Sequence, residues 1–469
     1  MTSQLSLFSA KLPDGESRQS IITKVLKIAW PTMVEYLLVH MVNMFDQIQV
    51  SSLGENATAA VGVSSQIQLL VITVFMAANV GVTAMVARSF GSKEYSTISE
   101  YFRHGLILVL GFLIPWSVLI YLFTPIIINS YGIKEGLANT YAIEYLRICI
   151  LGFFPMSLTM VITAALRGIG DTKTPMIYNT VANIINVIFN YLLIKGRFGF
   201  PKMEVRGAAI ATCLGHFVAF CLALLFVLKE GNILKFEVKT LFNKCTNSFF
   251  SNILRIGVPS MIAIVIVRIG LAVFTSFVTA LGTTIYATHV ICQNIQALTF
   301  MFGQAISAAA TTLTGQALGA RKNELAIIYF KSCAILSFVI AIGLGLIYGF
   351  GGKYIIPIYN ENYEIVKNGI VPLQIAAIMQ PFSMLLYTLS GTLNGAGDTK
   401  VTALLTTLTT FIFRPLMAKV CINVLSLGLA GAWLAVASDQ ILCCLLLSCR
   451  FLTMKWTVAF KEKRGGQNE

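Results

Sequence analysis

Charged residues are scarce in this sequence, and the common nucleotide and metalloenzyme motifs are missing from it. Only 12% of its 469 residues are charged and 56% are hydrophobic, with a mean hydropathy of +0.78. A soluble domain of this composition would expose large apolar patches. The chain has no GxxxxGK followed by Ser or Thr, no HExxH and no GxSxG. These absences argue against ATP-driven transport by this chain and against an enzyme, since no nucleophile–base pair is visible.

Two further absences narrow the class. The ten cysteines form no CxxC and no Cys/His ligand spacing, so we expect neither a disulfide framework nor a zinc site. Residues 1–20 are polar and lack an apolar core followed by a cleavage site, so we expect no removable signal peptide. The first apolar span would direct insertion instead.

Apolar stretches long enough to cross a bilayer, about 20 residues each, recur along the chain. They predict an all-α polytopic membrane protein with twelve transmembrane helices at residues 25–50, 58–87, 104–128, 137–166, 175–196, 207–228, 250–280, 285–315, 326–350, 364–393, 401–425 and 430–452. The polar segment 229–249 would be a cytoplasmic linker between an N-terminal lobe (1–228) and a C-terminal lobe (250–469).

The net charge of +14 does not indicate nucleic acid, because most of the basic residues lie in alternate loops and at the two termini. By the positive-inside rule, both termini are then cytoplasmic in a multi-pass plasma (inner) membrane protein, and the basic surface faces anionic lipid. One segment, 195–206, is an exception because it concentrates four basic residues on the predicted outer side.

The chain contains an internal repeat, and this repeat predicts two pseudo-symmetric six-helix bundles. Residues 28–31 (IAWP) face residues 256–259 (IGVP), 228 positions later, and GIGDTK (168–173) faces GAGDTK (395–400). Matched Gly, Pro and Asp-Thr-Lys letters lie at predicted helix ends, where similarity among apolar helices would not place them. Duplicated bundles are a common plan of secondary transporters, with the substrate path along the repeat interface.

Polar groups at membrane depth mark candidate sites, because they are costly there. Glu35 and Asp46, 11 residues apart on the first span, project from one face. On the fifth span Asn179, Asn183, Asn186 and Asn190 form one stripe. Asp46, Asn190 and Thr212 fall at a similar depth, so we expect an oxygen-rich cation site that takes H⁺ or Na⁺. The alternative is that the stripe holds helices together and Asp46 merely pairs with a nearby donor.

In the second copy the counterparts of Glu35 and Asp46 are apolar (Ala263 and Phe274), and the spans carry arginines. Arg268 lies in the middle of the seventh span, which contains no acid. Arg414 lies in the eleventh span and Asp439 in the twelfth, the next one along the chain. One interpretation is that Arg414 and Asp439 neutralise each other. The other is that Arg268 and Arg414, together with Asn183, line a cavity and contact an anionic or carbonyl-bearing substrate.

Several motifs resemble the multidrug and toxic compound extrusion (MATE) family over the whole chain. They are NMFDQIQVSSLGENATAAVG (43–62), VARSFGSKE (86–94), LRGIGDTKTPM (166–176), VRGAAIAT (205–212), GQALGARKNELA (315–326) and LNGAGDTK (393–400). The resemblance implies a twelve-helix antiporter that expels amphipathic organic compounds against a Na⁺ or H⁺ gradient. A lipid-linked oligosaccharide flippase of the same superfamily and a passive channel are the competing interpretations.

Residue by residue, the resemblance places Asp46 on the family's coupling aspartate, and Asn186 and Thr212 on polar members of the same site. Asn190 stands where the prokaryotic branch usually has a second aspartate, and Val267 and Ser383 stand where another branch has acids. We therefore expect coupling through the N-terminal lobe, with Glu35 as an additional acid. With a single acid, burial disfavours the charged form, which favours H⁺ over Na⁺. We expect no cofactor, a monomer, and as partners a small organic substrate and the lipid bilayer.

Overall fold

The computed structural model describes residues 17–132, 136–229, 233–234 and 245–458, without the side chains of residues 74, 77 and 458. Within these ranges the chain is almost entirely helical. Its long helices are α1 Arg18–Ser51, α2 Glu55–Gly91, α3 Tyr95–Ser130, α4 Leu137–Ile169, α5 Lys173–Leu193, α6 Glu204–Leu228, α7 Asn247–Thr279, α8 Thr283–Gly319, α9 Asn323–Tyr359, α10 Tyr363–Gly395, α11 Thr399–Val424 and α12 Gly428–Leu452. The predicted all-helical fold with twelve long helices is confirmed.

Length and composition make eleven of these helices able to cross a bilayer. The exception is α8, which has 37 residues but a less apolar sequence. Most helices are longer than the predicted apolar spans: α1 begins at Arg18 rather than near residue 25, for example. The difference arises because helical hydrogen bonding continues into polar residues, whereas the hydropathy criterion ends at the hydrocarbon boundary.

The repeat is visible in the glycines that separate the first two helices of each copy. Gly54 precedes α2 with φ 106°, and Gly282 precedes α8 with φ 108°. A side chain at such a φ would be strained, so both copies need glycine there. The repeated Leu-Gly letters in the sequence thus correspond to one repeated turn.

By its internal contacts the chain divides into two compact units. Among the described residues, one comprises those between 34 and 257, and the other comprises residues 17–33 and 258–458. We call them the N unit and the C unit. The sequence predicts a division at the linker instead. The described part of residues 1–33 belongs to the C unit because α1 begins in the core of that unit. Residues 250–257 belong to the N unit because α7 begins against α3. The role of each lobe in transport stays a prediction.

Small residues let α8 and α10 pack closely in the C unit. Gly391 and Gly395 form a GxxxG motif on α10, and a Cβ at either position would lie 2.3 Å from the backbone oxygen of Ser307 or Thr311 on α8. Thr311 also donates its hydroxyl hydrogen to the carbonyl oxygen of Gly391 at 2.9 Å. Such close backbone approach is typical of membrane helix pairs, because packing replaces the hydrophobic effect there.

The connection between the last two helices differs between the repeats. In the first copy, residues 194–203 separate α5 from α6, whereas in the second only residues 425–427 separate α11 from α12. Helix α11 is not regular: Leu408–Phe413 and Val420–Val424 are π-helical. The first copy therefore has a loop that has no equivalent in the second.

Candidate functional site

The carboxylate of Asp46 on α1 meets the amide side chains of α5 in the N unit. The amide nitrogen of Asn190 donates to Asp46 Oδ1 at 2.5 Å. Asp46 is half-buried, whereas Asn190 is 1% exposed. The two residues lie near the carboxyl ends of their helices, α1 and α5.

Asn186, one helical turn before Asn190, completes the amide environment of the carboxylate. In the amide orientation that satisfies its neighbours, its nitrogen donates to both oxygens of Asp46 at 3.1 and 3.3 Å. Its oxygen then accepts from the backbone N–H of Thr212 at 3.2 Å. Gly215 on α6 makes this approach possible, since a Cβ there would lie 3.2 Å from the Cβ of Asn186.

One acceptor in this cluster has no partner. The amide oxygen of Asn190 is buried without a hydrogen bond, and leaving a buried acceptor unpaired costs about 1–3 kcal/mol. Asp46 makes no ion pair among the residues that the structure describes. The cluster thus presents a carboxylate without a basic partner and a free amide oxygen, groups that can hold a proton or a small hard cation.

The second acid of α1, Glu35, has a different environment. Arg167, in the last turn of α4, donates from Nη2 to Glu35 Oε2 at 2.8 Å, and Asn179 donates to Glu35 Oε1 at 2.7 Å. Arg167 also donates to the Tyr36 hydroxyl at 3.3 Å. Glu35 is 6% exposed. Both oxygens of Glu35 are therefore occupied and its charge is balanced, unlike that of Asp46.

The two acids bind two members of the same asparagine stripe, in register. Asn179 contacts Glu35 and Asn190 contacts Asp46, and the residues of each pair are 144 positions apart in the sequence. Eleven residues separate the two acids, and eleven separate the two asparagines. Helices α1 and α5 therefore run parallel across these contacts, which lie about 16 Å apart along the axis. We call these two contacts the polar ladder.

The predicted coupling residues thus fall into two groups. The structure brings Asp46, Asn186, Asn190 and Thr212 together. It places Glu35 beside Arg167, at the other contact of the polar ladder. Asn183 lies half-buried on the same stripe between them. The sequence analysis does not identify Arg167 as a site residue, because the predicted fourth span ends at residue 166. Glu35 could have indicated it, since an acid inside a membrane usually has a positively charged partner.

In the C unit, the paired interpretation of Arg414 is confirmed. Its Nε donates to Asp439 Oδ2 at 2.8 Å, and its Nη2 donates to the same oxygen at 2.5 Å. The guanidinium carbon also lies 5.9 Å from the centre of the Phe274 ring. Asp439 is 2% exposed. A buried pair of this kind leaves Arg414 little free charge for a ligand, which weakens its predicted role in the substrate cavity.

Arg268 differs from Arg414 because it is exposed and makes no ion pair among the described residues. It lies in the apolar part of α7. A guanidinium at this position is costly in hydrocarbon and is expected to face water or protein. Elsewhere in the same unit, Ser383 donates to Gln440, so neutral groups occupy the position at which the family resemblance indicates an acid.

Comparison with known proteins identifies similar transporters over nearly the full length. The sequence model of the MatE family matches residues 31–192 and 259–419. The chain is 31% identical, over 96% of both chains, to the "Probable multidrug resistance protein NorM" of Thermotoga maritima. It is 24% identical to the "Multidrug resistance protein NorM" of Vibrio cholerae, over 80% of this chain and 82% of that one. A solved structure, "Crystal structure of MATE in complex with MaL6", superposes with a TM-score of 0.87 at 21% identity, covering 93% of this chain and 97% of that one.

Proposed function

This chain belongs to the multidrug and toxic compound extrusion (MatE) family, and we propose that it is a secondary antiporter that exports amphipathic organic compounds. The observation that carries this proposal is the carboxylate of Asp46, which has two amide donors and no basic partner in the described part of the chain. Acids inside membranes are rare and usually functional. The names of the curated relatives support drug-like organic compounds as substrates.

The coupling ion binds at Asp46, Asn186, Asn190 and Thr212 in this proposal. An amide can turn by 180°, presenting either its N–H₂ to a carboxylate or its oxygen to a protonated acid or a cation. Asn186 and Asn190 can therefore serve both the empty and the loaded site. A single carboxylate is matched by one proton, which favours H⁺, while the unpartnered oxygen of Asn190 would be a ligand for Na⁺.

Glu35 has a positioning role rather than a coupling role in this scheme. Its ion pair with Arg167 and its bond to Asn179 join α1 to α4 and α5 at a point about 16 Å from Asp46. Release of Glu35 from Arg167 would break a buried ion pair, which is costly. A carboxylate held in this way is a poor carrier of a transported ion.

Arg268 sets the charge preference for substrate in this proposal. It is an exposed arginine in the apolar part of α7, whereas Arg414 is neutralised by Asp439. An exposed guanidinium repels organic cations and offers paired donors to carboxylates or phosphates. We therefore expect zwitterionic or anionic compounds to be preferred as substrates. The proposal also includes a plasma-membrane location, cytoplasmic termini and a monomeric state.

Exchange in proteoliposomes tests the function and identifies the ion. With the membrane potential clamped, a pH gradient and a Na⁺ gradient are imposed separately while a panel of labelled cationic, zwitterionic and anionic compounds is followed. We expect concentrative movement driven by the pH gradient and lost in Asp46→Asn. Transport that needs only Na⁺ would reverse the choice of ion. Movement without acceleration by substrate on the opposite side would show a channel instead of a carrier.

A further inference from the structure

The loop between α5 and α6, residues 194–203, is an ordered structure without a counterpart in the second repeat. The backbone N–H of Met203 donates to the carbonyl of Leu193 at 2.9 Å, and that of Glu204 to the carbonyl of Ile194 at 3.2 Å. The turn within it is closed by Phe200 N–H donating to the carbonyl of Arg197 at 3.1 Å. We call residues 194–203 the α5–α6 loop. Its backbone is thus fixed by its own hydrogen bonds.

Aromatic side chains project from this loop and from the adjoining end of α5. Phe198 is 85% exposed and has φ 55°, a conformation that a bulky residue rarely adopts. Phe200 and Tyr191 are 41% and 47% exposed. Folding alone gains nothing by presenting Phe198 outward in this conformation. An outlier of this kind points to a binding role.

The charges around these rings leave an excess of positive charge. Of the nearby acids, Glu144 is bound by Arg206, and Glu204 is bound by Lys202 and by the hydroxyl of Tyr141. The remaining two basic residues are Lys195, which is exposed, and Arg197, whose guanidinium lies 4.0 Å from the centre of the Tyr191 ring. Neither has an acidic partner among the residues that the structure describes. They therefore provide positive charge beside exposed aromatic rings.

We propose that the α5–α6 loop is a binding site for anionic phospholipids at the membrane–water interface. In this site Phe198 and Phe200 insert below the headgroups, and Lys195 and Arg197 contact the lipid phosphates. Aromatic residues favour this layer, and basic side chains reach from apolar surroundings to phosphate. Each basic residue near an anionic surface contributes about a fivefold increase in affinity. A soluble protein partner would also cover the rings, but the excess of positive charge in a membrane chain favours lipid.

The loop is directly connected to the candidate coupling site, although the lipid proposal does not depend on the proposed function. The backbone N–H of Ile194 donates to the carbonyl of Asn190 at 3.1 Å. The loop also leads into α6, which carries Thr212. A lipid that holds this loop therefore holds the ends of two helices that contribute to the Asp46 cluster.

A tryptophan probe at the tip tests the proposal. Phe198→Trp is reconstituted in nanodiscs of phosphatidylcholine with and without phosphatidylglycerol, and its emission is compared with that of the wild-type protein. We expect blue-shifted emission that is quenched by lipids brominated near the headgroup. In the same background, Lys195→Gln with Arg197→Gln should reduce the apparent affinity for phosphatidylglycerol about 25-fold. The matched control, Lys353→Gln with Lys367→Gln, removes two exposed lysines elsewhere and should change it little.

Hydrogen exchange of the wild-type protein provides a readout that needs no substitution. The amides of Arg197–Phe200 should exchange more slowly when phosphatidylglycerol is present. Emission of a fully hydrated indole in both lipid mixtures, with unchanged exchange, would overturn the proposal and leave the tip exposed to water or to a protein. An equal loss of phosphatidylglycerol affinity in the control variant would also overturn it, because the effect would then be one of total charge.

Discussion

Asn190 donates from its amide nitrogen to Asp46 at 2.5 Å, while its own amide oxygen is buried without a partner in the described part of the chain. The same residue thus stabilises the carboxylate and retains a free acceptor beside it. A purely structural amide would be expected to satisfy both of its ends. The pair therefore has the properties of a site whose second ligand is the transported ion.

Replacement of Asp46 by asparagine tests its role as the coupling residue. Asp46→Asn keeps the size of the side chain but removes its charge and its proton. We expect gradient-driven export to be lost, because the variant has no carboxylate to bind and release the coupling ion. The measurement is export in proteoliposomes, with thermal stability as a check on folding. Glu55→Gln, at an exposed acid at the start of α2, is the control, and wild-type export from Asp46→Asn would contradict the assignment.

Adding a second acid should change the ion preference. Asn190→Asp places two carboxylates next to each other, and a pair of charges binds a metal cation better than a single one. We expect Na⁺, compared with choline, to raise the melting temperature of this variant more than that of the wild-type protein. Asn183→Asp, on the same stripe but half-buried, is the matched control. Identical Na⁺ responses in Asn190→Asp and in the wild-type protein would remove Asn190 from the ion site.

The Glu35–Arg167 ion pair predicts strong non-additivity. Glu35→Gln or Arg167→Gln alone removes one partner of a buried ion pair and should destabilise the protein by about 3–5 kcal/mol. The double variant should be considerably more stable than the sum of the two single effects predicts. Unfolding in detergent measures all four proteins of the cycle. Additive effects would show that the 2.8 Å contact contributes little to stability.

Close packing of α8 and α10 predicts a sharp dependence on one glycine. In Gly395→Ala the added Cβ would lie 2.3 Å from the backbone oxygen of Thr311, so the helices must separate. We expect a loss of about 1–3 kcal/mol, as for other overpacked positions. Gly111→Ala is the control, because nothing lies within 4 Å of a Cβ there. Equal melting temperatures for the two variants would show that the helices yield without cost.

Arg268 and Arg414, both in the C unit, should affect ligand binding differently. Arg268→Gln should reduce the affinity for carboxylate-bearing compounds about tenfold and raise that for matched cations. Asp439→Asn releases Arg414 from its ion pair and should have the opposite effect. The measurement is binding of matched cationic, zwitterionic and anionic ligands to each purified variant. A wild-type preference for the cation, unchanged by Arg268→Gln, would show that Arg268 does not reach the ligand.

The sequence was sufficient for features that depend on periodicity. Hydropathy predicts the twelve helices, and the turn at Gly54 and Gly282 follows from the repeat. The cluster of Asp46, Asn186, Asn190 and Thr212 was predictable as well, because helical rise fixes depth and angular spacing fixes the face.

The partner of Glu35 was not predictable in the same way. Arg167 lies at the end of α4, and its side chain reaches an acid 132 positions earlier in the sequence. Such a contact depends on how α4 packs in the N unit, which neither hydropathy nor spacing specifies. The conformation of the α5–α6 loop was also beyond reach, because the positive φ of Phe198 opposes the local preference of that residue.

The polar ladder attaches residues 35–46 of α1 to α5 at both ends of that segment. Its two contacts hold both ends of a three-turn segment, so a bend inside that segment would disturb at least one of them. A shift of α1 along α5 by one turn would misalign both rungs together. Bending is therefore confined to positions outside the ladder, and the nearest proline, Pro31, lies one turn before its first rung. A proton or Na⁺ that separates Asp46 from Asn190 would release one end of this segment. The other end would stay attached through the contacts of Glu35 with Arg167 and Asn179.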